Sequence, residues 1–145
     1  MDSFRLQRLS EVTESLCFQL SPGKYEEGKC WADDSVYIKE EAFSYLETVV
    51  SRCVPAFSHW AFTDVPSEQW LSLLQHLTQL AEQLDAATDM NDVRGDVHFL
   101  FRDSEEKFAA AFASNTRALA TMIRELVTWA AEQLKTHDGI AILGI

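Results

Sequence analysis

Basic residues are scarce in this chain. Its 145 residues hold 12 Lys and Arg against 23 Asp and Glu, a formal net charge of −11. A field of that sign repels phosphate backbones and anionic lipid, so nucleic acid and membrane are not the expected partners. Arg5 and Arg8 form the one close basic pair near the N-terminus, and the other cations are spread out. Cysteine is also sparse. Cys17, Cys30 and Cys53 are odd in number, irregularly spaced and without a CxxC pair, which excludes a disulfide framework. Cys17 and Cys53 each fit an apolar helical stripe and read as small core residues. No apolar run approaches the about 20 residues that cross a bilayer. The start, Met1-Asp2-Ser3-Phe4-Arg5, lacks the basic opening and apolar stretch of a secretory signal. The expectation is a cytoplasmic protein.

Chemistry-bearing motifs are missing too. The five glycines form neither GxGxxG nor GxxxxGK[ST], and Gly139 and Gly144 stand at the C-terminus with no Lys after them. No GxSxG elbow is present. His59, His76, His98 and His137 lie far apart, none within three or four residues of another His or of a Cys. A zinc site needs such spacing, and a carboxylate-bridged helical site needs a Glu-x-x-His pair that does not occur. No metal, cofactor or catalytic residue is therefore expected, and an enzyme is the least favoured class.

What is present is an ordinary globular composition, 47% hydrophobic and 24% charged, in a chain of one-domain size. We read residues 1–145 as a single domain. The clearest helix follows Thr63-Asp64-Val65-Pro66, with Pro66 in its first turn and Thr63 or Asp64 as cap. Trp70, Leu73, Leu74, Leu77, Leu80, Ala81 and Leu84 then recur at steps of three and four, and Trp70 reads as core. A second helix starts at Asp103, which pairs with Glu106 as a capping box, and runs to Lys135 through Phe108, Phe112, Leu119, Met122, Leu126 and Trp129. Unbroken, it would be about 48 Å long. A bend is expected near Ser114-Asn115-Thr116, where helix propensity is poorest. A third helix is expected over Glu40 to Cys53, ending before Pro55, and a fourth over Ser10 to Leu20, stopped by Ser21-Pro22-Gly23. Val97-His98-Phe99-Leu100-Phe101 and Ile140-Ala141-Ile142-Leu143 look extended, and residues 97–101 could pair with 140–143. Ser35-Val36-Tyr37-Ile38 offers a third strand. The aromatic connection holding Trp60 is expected to fold against the bundle. The expected fold class is mainly α: a bundle of about four helices with a minor short-strand element.

The acidic excess is concentrated. Between Glu26 and Glu47 stand seven acidic residues against Lys29 and Lys39, and between Glu82 and Glu106 eight against Arg94 and Arg102. Elsewhere the charges balance. Such runs commonly serve as solvated faces. As a functional surface they would receive a basic protein through charge-assisted bonds. The candidate partner-binding residues are Glu26, Glu27, Asp33, Asp34, Glu40, Glu41, Asp85, Asp89, Asp92 and Asp96, with Tyr25 and Trp31 as aromatic neighbours. Asp85 to Asp96 fall in an expected loop, and reversing them to Lys should weaken a basic partner while sparing the fold.

One stretch carries a resemblance. Val36-Tyr37-Ile38-Lys39-Glu40-Glu41 leads to Val54-Pro55-Ala56-Phe57 and Phe62-Thr63-Asp64-Val65. Glu68-x-Trp70-x-x-Leu73-Leu74-x-x-Leu77-x-x-Leu80 follows. This run, about residues 35–84, resembles the small acidic immunity proteins encoded beside bacterial polymorphic toxins, including contact-dependent growth inhibition systems. The resemblance implies a cytoplasmic, non-enzymatic protein. It would bind a cognate toxin domain, often a basic nuclease, and occlude its active-site cleft stoichiometrically. The family shares no positional motif, so no residue role is carried over. The alternative is a helical interaction module, an adaptor or secretion chaperone, without a toxin-neutralising role.

Overall fold

Four short strands, drawn from distant parts of the chain, form one antiparallel sheet in a computed structural model that describes residues 4–145. They are β1 (Cys17–Pro22), β2 (Val36–Lys39), β3 (Phe62–Pro66) and β4 (Gly139–Leu143), in the order β2-β1-β4-β3. Side chains alternate across a strand, so the register sorts them by face. Phe18, Leu20, Val36, Ile38, Val65, Ile140 and Ile142 point to the main core. Cys17, Gln19, Ser21, Tyr37, Phe62, Asp64, Ala141 and Leu143 share the outer face. The free edge of β2 is met by Gln7, whose N–H donates to Tyr37 O at 2.8 Å and whose carbonyl accepts from Tyr37 N at 2.9 Å.

The inner face is covered by helices: α1 (Glu40–Ser44), α2 (Glu47–Cys53), α3 (Ser67–Ala86), α4 (Ser104–Ala110) and α5 (Phe112–Gln133). The apolar stripe of α3 buries Trp70, Leu73, Leu77, Leu80 and Leu84, and that of α5 buries Leu119, Met122, Ile123 and Leu126. The two helices pack on each other, and both stripes belong to one continuous core with the sheet. Trp70, 1% exposed, also donates its indole N–H to Ile140 O at 2.8 Å and so ties α3 to the central strand β4.

The mainly α expectation is overturned. The protein combines five α-helices with a four-stranded antiparallel sheet, a mixed α/β fold. Ser10 to Leu20 is not a helix, because Phe18 and Leu20 satisfy alternation as well as a helical step and their segment becomes β1 between two partners. Residues 97–101 form no strand. Both edges of β4 are occupied, by β1 and β3, so no edge is left for them. Val97 makes only an isolated bridge with Arg94, and His98 N–H donates to Tyr45 O at 3.2 Å. Thr63 and Asp64 are not caps but part of β3, and the Ser67 N–H at the start of α3 finds Asp138 O at 2.8 Å.

Two long helices are each divided. The 40–53 segment breaks at Tyr45 and Leu46, where Ser44 Oγ donates back to Glu40 O at 2.6 Å. The 103–135 segment breaks at Ala111 (φ −132°, ψ 50°), before the expected bend. Asn115 lies inside α5, buried, and its Nδ2 donates to Phe108 O at 2.9 Å, capping the end of α4. The Asp103–Glu106 capping box is not formed. Asp103 makes no cap bond, and Ser104 Oγ accepts from Phe101 N at 3.1 Å. Trp60 does not fold inward: it is 69% exposed, while Phe57 packs against the core. Cys17 is buried but on the outer face of the sheet, and Cys53 is half-buried at the end of α2. Among the described residues no helix is long and apolar enough to cross a membrane.

Candidate functional site

The polar outer face of the sheet is covered by the chain itself. Residues 23–35, joining β1 to β2, cross over it and are held at three points. Buried Gln19 uses its whole side-chain amide: Nε2 donates to Lys29 O at 2.8 Å and to Ser35 Oγ at 2.9 Å, and Oε1 accepts from Trp31 N at 2.9 Å. Tyr37 OH donates to Ala32 O at 2.6 Å. Asp64 Oδ1 accepts from Tyr25 N at 2.7 Å, and the Tyr25 ring meets Phe62 edge-on at 4.9 Å. Satisfied bonds on both flanks of Cys30 anchor this loop to the sheet.

Trp31 is the strained point of the loop. Its φ of 60° is the only positive value at a non-glycine among the described residues. A left-handed backbone costs a bulky residue about 1–3 kcal/mol and persists only where the surroundings hold it. Here they are the Gln19 carbonyl on its N–H and the Tyr37 ring, parallel to the indole within 9° at 5.5 Å. Despite this anchoring, Trp31 is 46% exposed. It borders a depression of about 340 Å³ lined also by Leu16, Cys17, Cys30, Phe62 and Leu143. Leu16 and Phe62 are likewise large apolar side chains left open to solvent.

Acidic residues lie near groups that border or underlie this depression. Burial first, then Asp34 and Asp33, push the Tyr37 phenol up to about 12. Burial and the neighbouring Glu14 push the Cys17 thiol up as well, against a smaller opposing effect of Lys39. The Tyr25 phenol is raised by its contact with the Cys30 thiol at 3.8 Å, with Glu27 contributing.

The candidate acidic residues separate into two kinds. Glu26, Glu27, Asp33 and Asp34 are all exposed on the 23–35 loop, and among the described residues none of them pairs with a cation. The others have intramolecular work. Glu41 accepts from Ser104 Oγ at 3.1 Å and joins α1 to α4. Asp85 pairs with Arg124, linking α3 to α5. Asp89 accepts from Asn91 N at 2.8 Å, and Asp92 from Thr88 N at 2.9 Å and Thr88 Oγ1 at 3.1 Å. Those backbone bonds hold the Asp92 carboxyl below its usual range. Asp96 is likewise held low, first by Gln83 Nε2 at 2.9 Å and then by Arg52 Nη1 at 2.8 Å. The 87–97 loop is thus built on these aspartates.

Glu40 belongs to a cluster that sequence spacing could not reveal. Its carboxylate receives Nε2 of His59 at 2.7 Å, while Glu47 takes Nδ1. His98 Nε2 lies 3.9 Å from the other Glu47 oxygen. The two carboxylates lie against opposite nitrogens of one ring. Among the described residues no three His, Cys, Asp or Glu side chains converge to hold a metal. Sequence spacing does not single out Leu16, Gln19, Cys30 or Phe62: Leu16 falls in the expected 10–20 helix, and Phe62 and Gln19 gain meaning only from strand pairing. No family model, curated protein or solved structure matches this chain.

Proposed function

We propose that this chain is an immunity-type inhibitor. It binds a basic protein partner, a cognate toxin domain of nuclease character, and blocks its substrate cleft stoichiometrically within the cytoplasm. The observation that supports this most is the 23–35 loop. Four carboxylates, without a cation partner among the described residues, are displayed on a loop that Gln19 and Tyr37 anchor. Charge of this kind steers a basic protein to the surface and replaces the phosphates its cleft would hold. Pre-organisation lowers the ordering entropy that a flexible acidic loop would lose on binding.

The test is direct. The toxic domain encoded by the adjoining upstream reading frame is expressed with and without this chain. Restored growth and a one-to-one complex are expected. An upstream frame with no toxic product, or toxicity that persists with this chain co-produced, overturns the reading. A complex without restored growth would leave an interaction module with no neutralising role.

A further inference from the structure

The acidic loop accounts for attraction but not for the apolar side chains left beside it. Leu16 is 54% exposed, Trp31 46% and Phe62 48%, and all three border the same depression. They come from three separate places: the approach to β1, the β1–β2 loop and the start of the edge strand β3. Leu143 of β4 forms part of the lining between them. Exposed apolar side chains scattered singly carry no message, but several converging on one concavity do. Each is also held in place. Trp31 is fixed by Gln19 and Tyr37 at the expense of a left-handed backbone, Phe62 is braced by Tyr25, and Leu16 O accepts from Glu40 N at 3.1 Å.

The surroundings say what kind of occupant fits. Asp33 and Asp34 act on the Tyr37 hydroxyl beneath Trp31, Glu27 acts on Tyr25, and Glu14 stands by Cys17. Of the nearby cations, Lys39 lies 3.6 Å from Glu14 and Lys29 reaches Pro22 O at 3.5 Å, so neither pairs with Glu27, Asp33 or Asp34. An apolar seat beside an exposed loop bearing Glu27, Asp33 and Asp34 is complementary to an apolar side chain flanked by cations. Interface hot spots have this form, a central aromatic in a pocket with charges at the rim.

We propose that the depression between Leu16, Trp31 and Phe62 seats one aromatic or long aliphatic side chain of the basic partner, whose flanking Lys or Arg residues meet Glu27, Asp33 and Asp34. This rests on the reading of the chain as a binder of a basic protein and adds where the specificity resides. Rim charge sets the rate of encounter, and the seated side chain sets how long the complex lasts. A cation held above the open indole face of Trp31 would add to it.

The test uses two synthetic peptides, acetyl-Lys-Lys-Phe-Lys-Lys-amide and the same peptide with Ser in place of Phe. Binding to the full chain is followed by NMR at low salt through backbone amides and the tryptophan indole N–H signals. The Phe peptide is expected to bind about tenfold more tightly, from burial of its ring. It should shift the Trp31 indole signal and the amides of residues 16, 30–31 and 62, while the core indole of Trp70 stays fixed. Leu16→Ser, at a side chain outside the main core, is expected to shrink the preference to about twofold or less and leave the Ser peptide's affinity unchanged. Equal affinity of the two peptides, or a Phe preference mapped to another surface, overturns the seat while recognition of basic chains stands. If neither peptide binds, both the seat and the basic-partner reading fall.

Discussion

Glu40 and Glu47 hold His59 between them, one carboxylate on each ring nitrogen, with 2.7 Å from Nε2 to Glu40 Oε2. Both nitrogens must donate, so the arrangement calls for the imidazolium form. Burial alone would lower the pKa of His59. The hydrogen bonds to Glu40 and Glu47, and then their charges, more than offset this and raise it. Two other titratable groups are close by: His98, 3.9 Å from Glu47, and the C-terminal residue Ile145, whose N–H donates to His59 O at 2.9 Å. A group whose folded value is raised contributes stability in full below its unfolded value of about 6.5 and loses it as pH rises through the folded value. The melting temperature is therefore expected to fall from mildly acidic to alkaline pH. His59→Gln should flatten that dependence and cost about 3 kcal/mol by removing the cation that two largely buried carboxylates share. Thermal melts across pH, with the His59 ring signals followed by NMR, check it; an equal slope in the variant would disprove the assignment.

Asp96 is expected to show the opposite sign. Its carboxyl is held low by Gln83 and Arg52, so its contribution is present above the ordinary Asp value of about 3.9 and is lost as pH falls through the lowered one. Asp96→Asn should reduce the melting temperature near neutral pH and narrow the difference from the parent protein on acidification. Reversing Asp85, Asp89, Asp92 and Asp96 together to Lys should loosen the 87–97 loop rather than spare the fold. Hydrogen exchange of the amides donated to Asp89 and Asp92 reports this directly, and unchanged protection would contradict it.

The pairing of β3 with β4 leaves no room at Gly139. A Cβ there would lie 2.3 Å from Val65 O and 3.1 Å from the Pro66 Cα, both backbone atoms that cannot swing away. Gly139→Ala is expected to force the strands apart and to destabilise by about 1–3 kcal/mol. Chemical denaturation measures the loss. As a comparison, Gly95→Ala meets no atom within 4 Å, and its penalty should come only from its φ of 91°.

These positions show what was legible beforehand. The stripe from Trp70 to Leu84 is long and strictly periodic, so α3 emerged with its burial pattern intact. Of the sheet, β2 and β4 are legible as extended stretches, but β1 is not, because a strand of six residues carries too few alternations to compete with a helical reading. Leu20 fits both periods, and its membership of β1 is decided by Ile142, more than a hundred residues away. The acidic windows were visible as composition. Which carboxylates remain available was not, since Asp96 acquires Arg52 and Glu40 acquires His59 only through the fold. Trp31 carried no sign of its left-handed backbone, which follows from Gln19 beneath it.

The exposed loop carboxylates are expected to act on encounter. Glu26→Lys, Glu27→Lys, Asp33→Lys and Asp34→Lys combined change no cation pair in the described structure, so the circular dichroism spectrum and melting temperature should stay close to the parent's. Asp34 Oδ1 does accept from Ser35 Oγ at 3.0 Å, but Ser35 keeps Gln19 as a partner. Against the basic partner proposed above, association at low salt should slow by about 10–100-fold, because the steering field is reversed where that partner would land. Dissociation should change less, since the apolar seat at Trp31 remains. At high salt the two proteins' association rates should converge, as screening shortens the reach of exposed charge to a few ångströms. Stopped-flow association over a salt series separates these effects. A parent rate indifferent to salt would remove electrostatic steering from the mechanism and leave the Leu16–Trp31–Phe62 depression to account for recognition alone.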